Sequence, residues 1–174
     1  ASTYHQLGMV AQERGRWDEA EDRYRRALTI SEELGDRPGT ASTYHQLGMV
    51  AQERGRWDEA EDRYRRALTI SEELGSRPGT ALTRAQYALL AEQREQPQQA
   101  LEWTIRCVAL FDQIPHPAMG TGPRHLKHLT AQLGLPTLEH TWQQITGDAL
   151  PGHVRQYVQT PDDPKPDQEG TPTP

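Results

Sequence analysis

The sequence has one cysteine, no long apolar run and no excess of basic residues, and each absence excludes a class of protein. A single cysteine among 174 residues excludes a disulfide framework and predicts a reducing compartment, the cytoplasm. The apolar runs are only a few residues long, too short to cross a bilayer. The 19 basic residues are outnumbered by 25 acidic ones, whereas general nucleic-acid binding needs clustered positive charge. We therefore expect neither a membrane nor a nucleic acid as a partner.

What the sequence does contain is an internal repeat. Residues 1–40 and 41–80 are identical except at one position, where Asp36 of the first copy is replaced by Ser76. Residues 81–120 keep the same length but share fewer residues with the second copy. A period of about 20 to 50 residues is typical of solenoids. We therefore predict three stacked units with these boundaries, the third of them degenerate.

Each copy has the apolar spacing of two helices. The first stripe consists of Tyr4, Leu7, Gly8 and Ala11, and the second of Ala20, Tyr24, Ala27, Ile30 and Leu34. Gly15 separates the stripes, and Asp18 followed by Glu21 predicts a capping box at the start of the second helix. Gly35 and Pro38 predict that a loop then separates this helix from the next copy. No window alternates with period two, so an all-α fold is expected.

These positions resemble the pattern of the tetratricopeptide repeat (TPR) family. The matching residues are Tyr4, Leu7, Gly8, Ala11, Gly15, Trp17, Ala20, Tyr24 and Ala27, together with their equivalents 40 residues later. The resemblance implies an all-α right-handed superhelix, or α-solenoid, of three helical hairpins. Gly8 and Ala20 are then expected where the two helices of a hairpin cross closely. The 40-residue period is similar to that of TPR arrays in cell-polarity adaptors and beside the ATPase domains of bacterial signalling proteins.

Shorter helices are predicted after the repeats. Pro123, Pro136 and Pro151 each precede a short apolar stripe and fit the first turn of a helix. Residues 121–159 are therefore predicted to form a helical cap on the third hairpin, and residues 160–174 a disordered tail. At the other end the chain opens on the first residue of a repeat. We expect the outer face of the first helix to be bare, as in a piece of a longer protein, which favours self-association.

The resemblance also implies that the first helices of successive hairpins line a concave groove, where TPR proteins bind peptides or partner helices. The predicted groove residues are Ser2, His5, Gln6, Met9, Gln12 and Glu13 in the first copy, Ser42, His45, Gln46, Met49, Gln52 and Glu53 in the second, and Gln86, Leu89, Glu92 and Gln93 in the third. Amides at these positions can hold a ligand backbone, and the methionines offer adaptable apolar contacts. The two histidines predict an affinity that changes near pH ~6.5.

The function predicted from these observations is a non-catalytic scaffold or sensor arm of a signalling protein, with a protein or peptide as its partner and no cofactor. Self-assembly into a homo-oligomer through exposed repeat ends is the second hypothesis. A metal-dependent enzyme is the third. It depends on His125 and His128, which are spaced to share a metal with His116 or His140, although histidines solvated at a helix end are favoured. Cys107 aligns with Ala27, so a buried core thiol is expected there.

Overall fold

The computed structural model describes residues 2–161, and this part of the chain is helical without strands. Its helices are α1 (Ser2–Glu13), α2 (Trp17–Glu33), α3 (Arg37–Glu53), α4 (Trp57–Glu73), α5 (Arg77–Gln93), α6 (Pro97–Val108), α7 (Gly122–Leu133), α8 (Leu135–Thr146) and α9 (Gly152–Gln159), with a 3-10 turn at Pro117–Met119. No helix in the described part is both long and apolar enough to cross a bilayer. The predicted disordered tail lies outside the described residues from residue 162 onward.

A tight left-handed turn joins the two helices of each hairpin. Gly15 and Gly55 have φ angles of 66° and 68° in these turns, a conformation that glycine adopts without steric cost. Glu95 occupies the same position in the third hairpin with a φ of 58°. This conformation costs a residue with a side chain about 1–2 kcal/mol. The third hairpin therefore keeps the geometry of the turn although its sequence lacks the glycine.

The predicted capping box at Asp18 is wrong. The helix α2 follows Arg16 and has no side-chain cap, so Asp18 already lies within its first turn. A carboxylate there is stabilised by the helix dipole. Asp18 also accepts a hydrogen bond from Arg54 of the next hairpin, with 2.5 Å between Oδ1 and Nη1. The acidic residues at this position therefore connect two hairpins instead of capping one helix.

The helix that opens the second copy begins earlier than the sequence analysis predicts. The loop after α2 contains only residues 34–36, and α3 starts at Arg37. The Asp36 side chain caps this helix by accepting a hydrogen bond from the backbone nitrogen of Gly39 at 3.0 Å. Pro38 lies in the first turn, where its missing N–H group costs nothing. Asp36 and Pro38 are therefore a start signal for α3, and the loop is shorter than expected.

Each hairpin closes tightly around a buried tyrosine. A Cβ atom placed on Gly8 would lie 2.6 Å from the ring of Tyr24, and one placed on Gly48 would lie 2.5 Å from the ring of Tyr64. Both tyrosines are fully buried. Real carbon atoms do not approach so closely, so only glycine fits at the crossing. This confirms the close crossing predicted at Gly8.

The hairpins stack in chain order, and the last helices cover the far end of the stack. The helix α2 contacts α3, α4 contacts α5, and both α7 and α8 pack on α6. The cap helices contribute Leu126, Leu138 and Trp142 to one core cluster with Leu101 and Ile105 of α6. The third hairpin is therefore closed by apolar contact with the cap. The architecture is an α-solenoid, as predicted.

Candidate binding groove

Three cavities lie along the face formed by α1, α3 and α5. The helix α1 contacts α3, and α3 contacts α5, so the three first helices lie side by side. Cavity A, of about 380 Å³, lies between the first halves of α1 and α3. Cavity B, of about 360 Å³, lies between their second halves. Cavity C, of about 520 Å³, lies between α3, α5 and the end of α4. We call this row of cavities the groove.

Most of the predicted groove residues line these cavities. Cavity A is lined by Ser2, His5, Gln6, Met9, Asp36, Gly39, Ser42 and Thr43. Cavity B is lined by Met9, Gln12, Glu13, Trp17, Gln46, Met49 and Glu53. Cavity C is lined by Pro38, Ala41, Ser42, His45, Gln46, Ser71, Leu74, Ser76, Gly79, Leu82 and Thr83. In the first two copies, every predicted residue except Gln52 is among them.

Gln52 is instead part of the packing between hairpins. It is buried, and its Oε1 accepts a hydrogen bond from the Tyr64 hydroxyl at 2.7 Å. Its Nε2 donates to Oε1 of Gln93 at 3.0 Å. The Gln52 amide therefore serves the packing between hairpins, and neither Gln52 nor the exposed Gln93 lines a cavity of the groove.

The predicted residues of the third hairpin lie outside the groove as well. Gln86 and Leu89 are half-buried and line none of the three cavities. Glu92 faces the cap, where its carboxylate lies 2.9 Å from Nε2 of His125 and 3.4 Å from Nε2 of His128. The groove therefore ends at the first half of α5.

Two histidines of the metal hypothesis, His125 and His128, share Glu92, whereas His116 has a different neighbour. His125 has Glu92 on one ring nitrogen and the Thr104 hydroxyl on the other, at 3.2 Å. His116 stacks on Phe111, with 4.4 Å between ring centroids. Within residues 2–161, no group of three or more His, Cys, Asp or Glu side chains is arranged to hold a metal ion.

The lone cysteine occupies the core position expected for it. Cys107 is fully buried and packs in the cluster that joins α6 to the cap. Burial raises the pKa of its thiol to about 12. The thiol is therefore protonated at neutral pH, which is unsuited to a nucleophile.

His5 and His45 are held by the next hairpin. The Thr83 hydroxyl donates to the carbonyl of Gly79 at 3.0 Å, so it accepts from Nδ1 of His45, 3.3 Å away. Thr43 holds His5 in the same way, at 3.3 Å. Burial lowers the pKa of both histidines, that of His45 to about 4. The predicted change in affinity near pH 6.5 is therefore wrong for His45, which is neutral well below that pH.

Comparison with known proteins identifies the family. The family model described as tetratricopeptide repeat matches residues 1–73 and 43–113. This chain belongs to the tetratricopeptide repeat family. No curated protein matches the sequence.

Several solved structures share the fold of this TPR chain at low sequence identity. The crystal structure of BtubC (BKLC) from P. vanneervenii is 18% identical and superposes with a TM-score of 0.66, over 97% of this chain and 67% of that chain. A kinesin light chain with nearly identical TPR-like repeats from Podosopora anserina is 18% identical, with a TM-score of 0.64 over 84% of this chain and 73% of that chain. A single-substitution variant of that kinesin light chain is 17% identical, with the same TM-score and the same coverage of both chains. At this identity the comparison establishes the fold alone.

The charge of the TPR groove has one sign. The charged residues that line the three cavities at neutral pH are Glu13, Asp36 and Glu53, and no lysine or arginine lines them. Many arginines instead pair with acids of the second helices, within one helix or between hairpins. One example is the pair of Asp22 and Arg26 on α2, with 3.1 Å between Oδ2 and Nε.

Sequence reasoning missed the part of the groove that lies at the start of α3 and α5. Pro38, Ala41, Ser76 and Leu82 line cavity C, but residues near them were assigned to a loop. Recognising Asp36 as a helix cap with Pro38 in the first turn could have extended the groove stripe to these positions.

Proposed function

We propose that this TPR protein is a non-catalytic interaction module whose groove binds a peptide segment or a helix of a protein partner. The TPR fold is generally a protein–protein interaction module, and TPR families are generally non-catalytic scaffolds. The continuity of the groove carries the proposal. Met9 lines both cavities A and B, Ser42 lines both A and C, and Gln46 lines both B and C. A continuous cleft of this kind suits an extended chain.

The side chains that bridge the cavities suit a peptide backbone. Gln46 is half-buried and makes no side-chain hydrogen bond with another residue of the described part. Its amide can therefore donate to a ligand carbonyl and accept from a ligand N–H group. Met9 and Met49 are flexible and polarizable, so they can adapt to different apolar side chains.

A groove variant tests this function. Random dodecapeptides displayed on phage should be enriched on the wild-type protein. The double variant Gln46→Ala, Met49→Ala should lose at least ten-fold of that binding, because it removes an amide and an apolar contact from cavity B. A matched variant, Thr29→Ala with Glu33→Ala on the exposed outer side of α2, should bind like the wild type. Selected peptides that bind the groove variant undiminished would contradict the proposal.

A second candidate function, self-association, is favoured by one comparison between the copies. Leu7 and Val10 are 44% and 41% exposed, whereas the identical residues Leu47 and Val50 are 4% and 0% exposed. The outer face of α1 thus has the residues of an interface without a neighbour among the described residues. Because the cap covers the other end of the stack, a second copy would meet α1 with its own α1. Such a pair is related by a two-fold axis.

Sedimentation equilibrium tests this second candidate. The wild-type mass should rise from monomer to dimer with concentration. The variants Leu7→Asp and Val10→Asp should stay monomeric, because a buried charge without a partner opposes association. The variant Leu34→Asp is the matched control, because Leu34 is highly exposed and lies at the C-terminal end of α2 instead of on α1. A wild-type protein that is monomeric at all concentrations would exclude self-association.

We further propose that the module works in a reducing compartment such as the cytoplasm. The proposal is supported by the single, buried cysteine, which leaves folding independent of oxidation. A sensor role in a signalling protein stays a prediction of the resemblance.

A further inference from the structure

The only residue that differs between the first two copies lies in the groove. Asp36 lines cavity A, and its equivalent Ser76 lines cavity C. The two cavities also differ at one pair of equivalent positions. Ser42 lines cavity A, whereas Leu82 lines cavity C, because α5 belongs to the degenerate third copy. Cavity C therefore has no charged lining residue at neutral pH. Leu82 and Leu74 lie in it with 43% and 42% of their surface exposed, so cavity C offers an apolar surface.

Cavity B has the opposite character. It contains two carboxylates, Glu13 and Glu53, beside the indole of Trp17 and the thioethers of Met9 and Met49. Both glutamates are exposed, and neither has an ion-pair partner within residues 2–161. No arginine or lysine lines the cavity to neutralise them. This end of the groove therefore carries uncompensated negative charge.

A basic side chain would suit the carboxylates, the thioethers and the indole of cavity B. The methylene stem of arginine or lysine packs on apolar surface while its charged end reaches a polar group. Here the stem would contact Met9 and Met49, and the cation would pair with Glu13 or Glu53. An indole ring also attracts a cation. A glutamate or aspartate in the same place would be repelled by both carboxylates.

The helix α3 sets the distance between the two cavities. Ala41 lines cavity C and Met49 lines cavity B, and eight residues of helix extend about 12 Å. An extended peptide advances about 3.3 Å per residue. The two anchor side chains of a ligand would therefore be about four residues apart, with Gln46 between them.

We propose that the groove selects an extended peptide in which an arginine or lysine stands about four residues from a leucine or similarly bulky apolar residue. The basic side chain occupies cavity B, and the apolar side chain occupies cavity C. This ligand class rests on the proposed function, which places the ligand in the groove.

Fluorescence polarisation with synthetic peptides tests the ligand class. The probes are fluorescein-labelled nonapeptides of glycine and serine that carry one arginine and one leucine four residues apart, in both chain orders. One order should bind. Replacing its arginine by glutamate, or its leucine by serine, should weaken binding at least ten-fold. A glutamate peptide that binds as tightly as the arginine peptide would overturn the ligand class.

Protein variants test which cavity selects which side chain of the peptide. The double variant Glu13→Gln, Glu53→Gln should bind the arginine and glutamate peptides equally while keeping the preference for leucine. Leu82→Ser, which installs the residue of the second copy, should weaken the preference for leucine and leave the charge preference intact. Glu33→Gln on the exposed end of α2 is the matched control for charge. An unchanged charge preference in the double glutamine variant would overturn the assignment of cavity B.

The two proposals can fail separately. If acidic peptides bind and are lost in the Gln46→Ala, Met49→Ala variant, the groove binds peptides and only the ligand class is wrong. If neither the library nor the nonapeptides bind, both proposals are wrong.

Discussion

At the scale of single residues, the hydrogen atom of Gly48 sets the distance between the two helices of the second hairpin. The ring that a Cβ atom would meet belongs to Tyr64, which is fully buried. The Tyr64 hydroxyl is also held by Gln52 at 2.7 Å. The ring therefore has little freedom to move away from a larger residue.

We expect Gly48→Ala to destabilise the protein. Overpacking of a filled core costs about 1–3 kcal/mol, and the better helix propensity of alanine recovers at most about 1 kcal/mol. The free energy of unfolding, measured with urea, should fall by about 1 kcal/mol, with a net loss of up to about 2 kcal/mol once the full offset is taken. Gly152→Ala is the control, because no heavy atom would lie within 4 Å of its Cβ. A Gly48→Ala variant as stable as the wild type would show that the helices can separate without cost.

His45 is the residue expected to make stability depend on pH. Its pKa is lowered from 6.5 to about 4 by burial. Between these values the unfolded chain binds a proton that the folded chain does not, so stability falls as the pH is lowered from about 6.5 to about 4. At 1.36 kcal/mol per pH unit the full loss is about 3 kcal/mol.

The variant His45→Ala isolates this effect, because alanine is the residue at the equivalent position 85 of the third copy. The difference between urea midpoints at pH 7 and pH 4.5 should be smaller in the variant than in the wild type. Equal differences would show that other groups account for the acid sensitivity.

At the scale of helices, salt bridges from α2 to the loop after α3 join the first two hairpins. Glu21 of α2 lies 2.6 Å from Arg56 and 3.2 Å from Arg54. Burial raises the pKa of the Glu21 carboxyl, but the hydrogen bond from Arg56 and the charges of Arg25, Arg56 and Arg54 outweigh it and leave the pKa lowered. The equivalent Glu61 pairs with one arginine at 2.8 Å.

We expect Glu21→Gln to destabilise the protein more than Glu61→Gln. The Glu21 side chain is 11% exposed and that of Glu61 is 51% exposed. Charge-assisted hydrogen bonds contribute about 1.5–3 kcal/mol when buried, whereas exposed ion pairs contribute about 0–1 kcal/mol. Urea denaturation of both variants makes the comparison. Equal losses in the two variants would show that the additional arginine beside Glu21 does not strengthen the contact between the first two hairpins.

At the scale of the whole molecule, the position of a residue in the stack decides what it contributes. Leu47 is buried against the first hairpin, and its identical counterpart Leu7 is exposed on the outer face of α1. Leu47→Ala should lower the free energy of unfolding by about 2–4 kcal/mol. Leu7→Ala should change it by less than about 0.5 kcal/mol. Urea denaturation of dilute protein measures both, and equal losses would contradict the stacking order.

The parts of the fold that depend on local sequence were predictable. Apolar spacing indicated the helices, Gly15 indicated the turn, and Gly8 indicated the close crossing. The predicted cap at Asp18 was wrong because Asp18 lies inside the first turn of α2, whereas Asp36 precedes α3 and caps it. The Asp18 carboxylate instead contacts Arg54. That contact spans 36 residues of sequence, which no local pattern reports.

The predicted groove was limited for a similar reason. A helical stripe identifies one side of a helix but not how far the next hairpin or the cap extends over it. Gln52 was therefore assigned to the groove although it bonds to Tyr64 and Gln93. Glu92 was assigned to the groove although it contacts His125 of the cap.

The first two copies separate what the sequence determined from what the tertiary structure decided. By itself, the repeated sequence determined that α2 and α4 begin and end at equivalent residues, since helix limits depend on residues a few positions apart. The tertiary structure alone decided that Leu47 is buried and Leu7 exposed, and that Gln12 lines cavity B whereas its identical counterpart Gln52 is buried. The physical reason is that burial and cavity lining depend on the neighbouring hairpin, and identical copies have different neighbours.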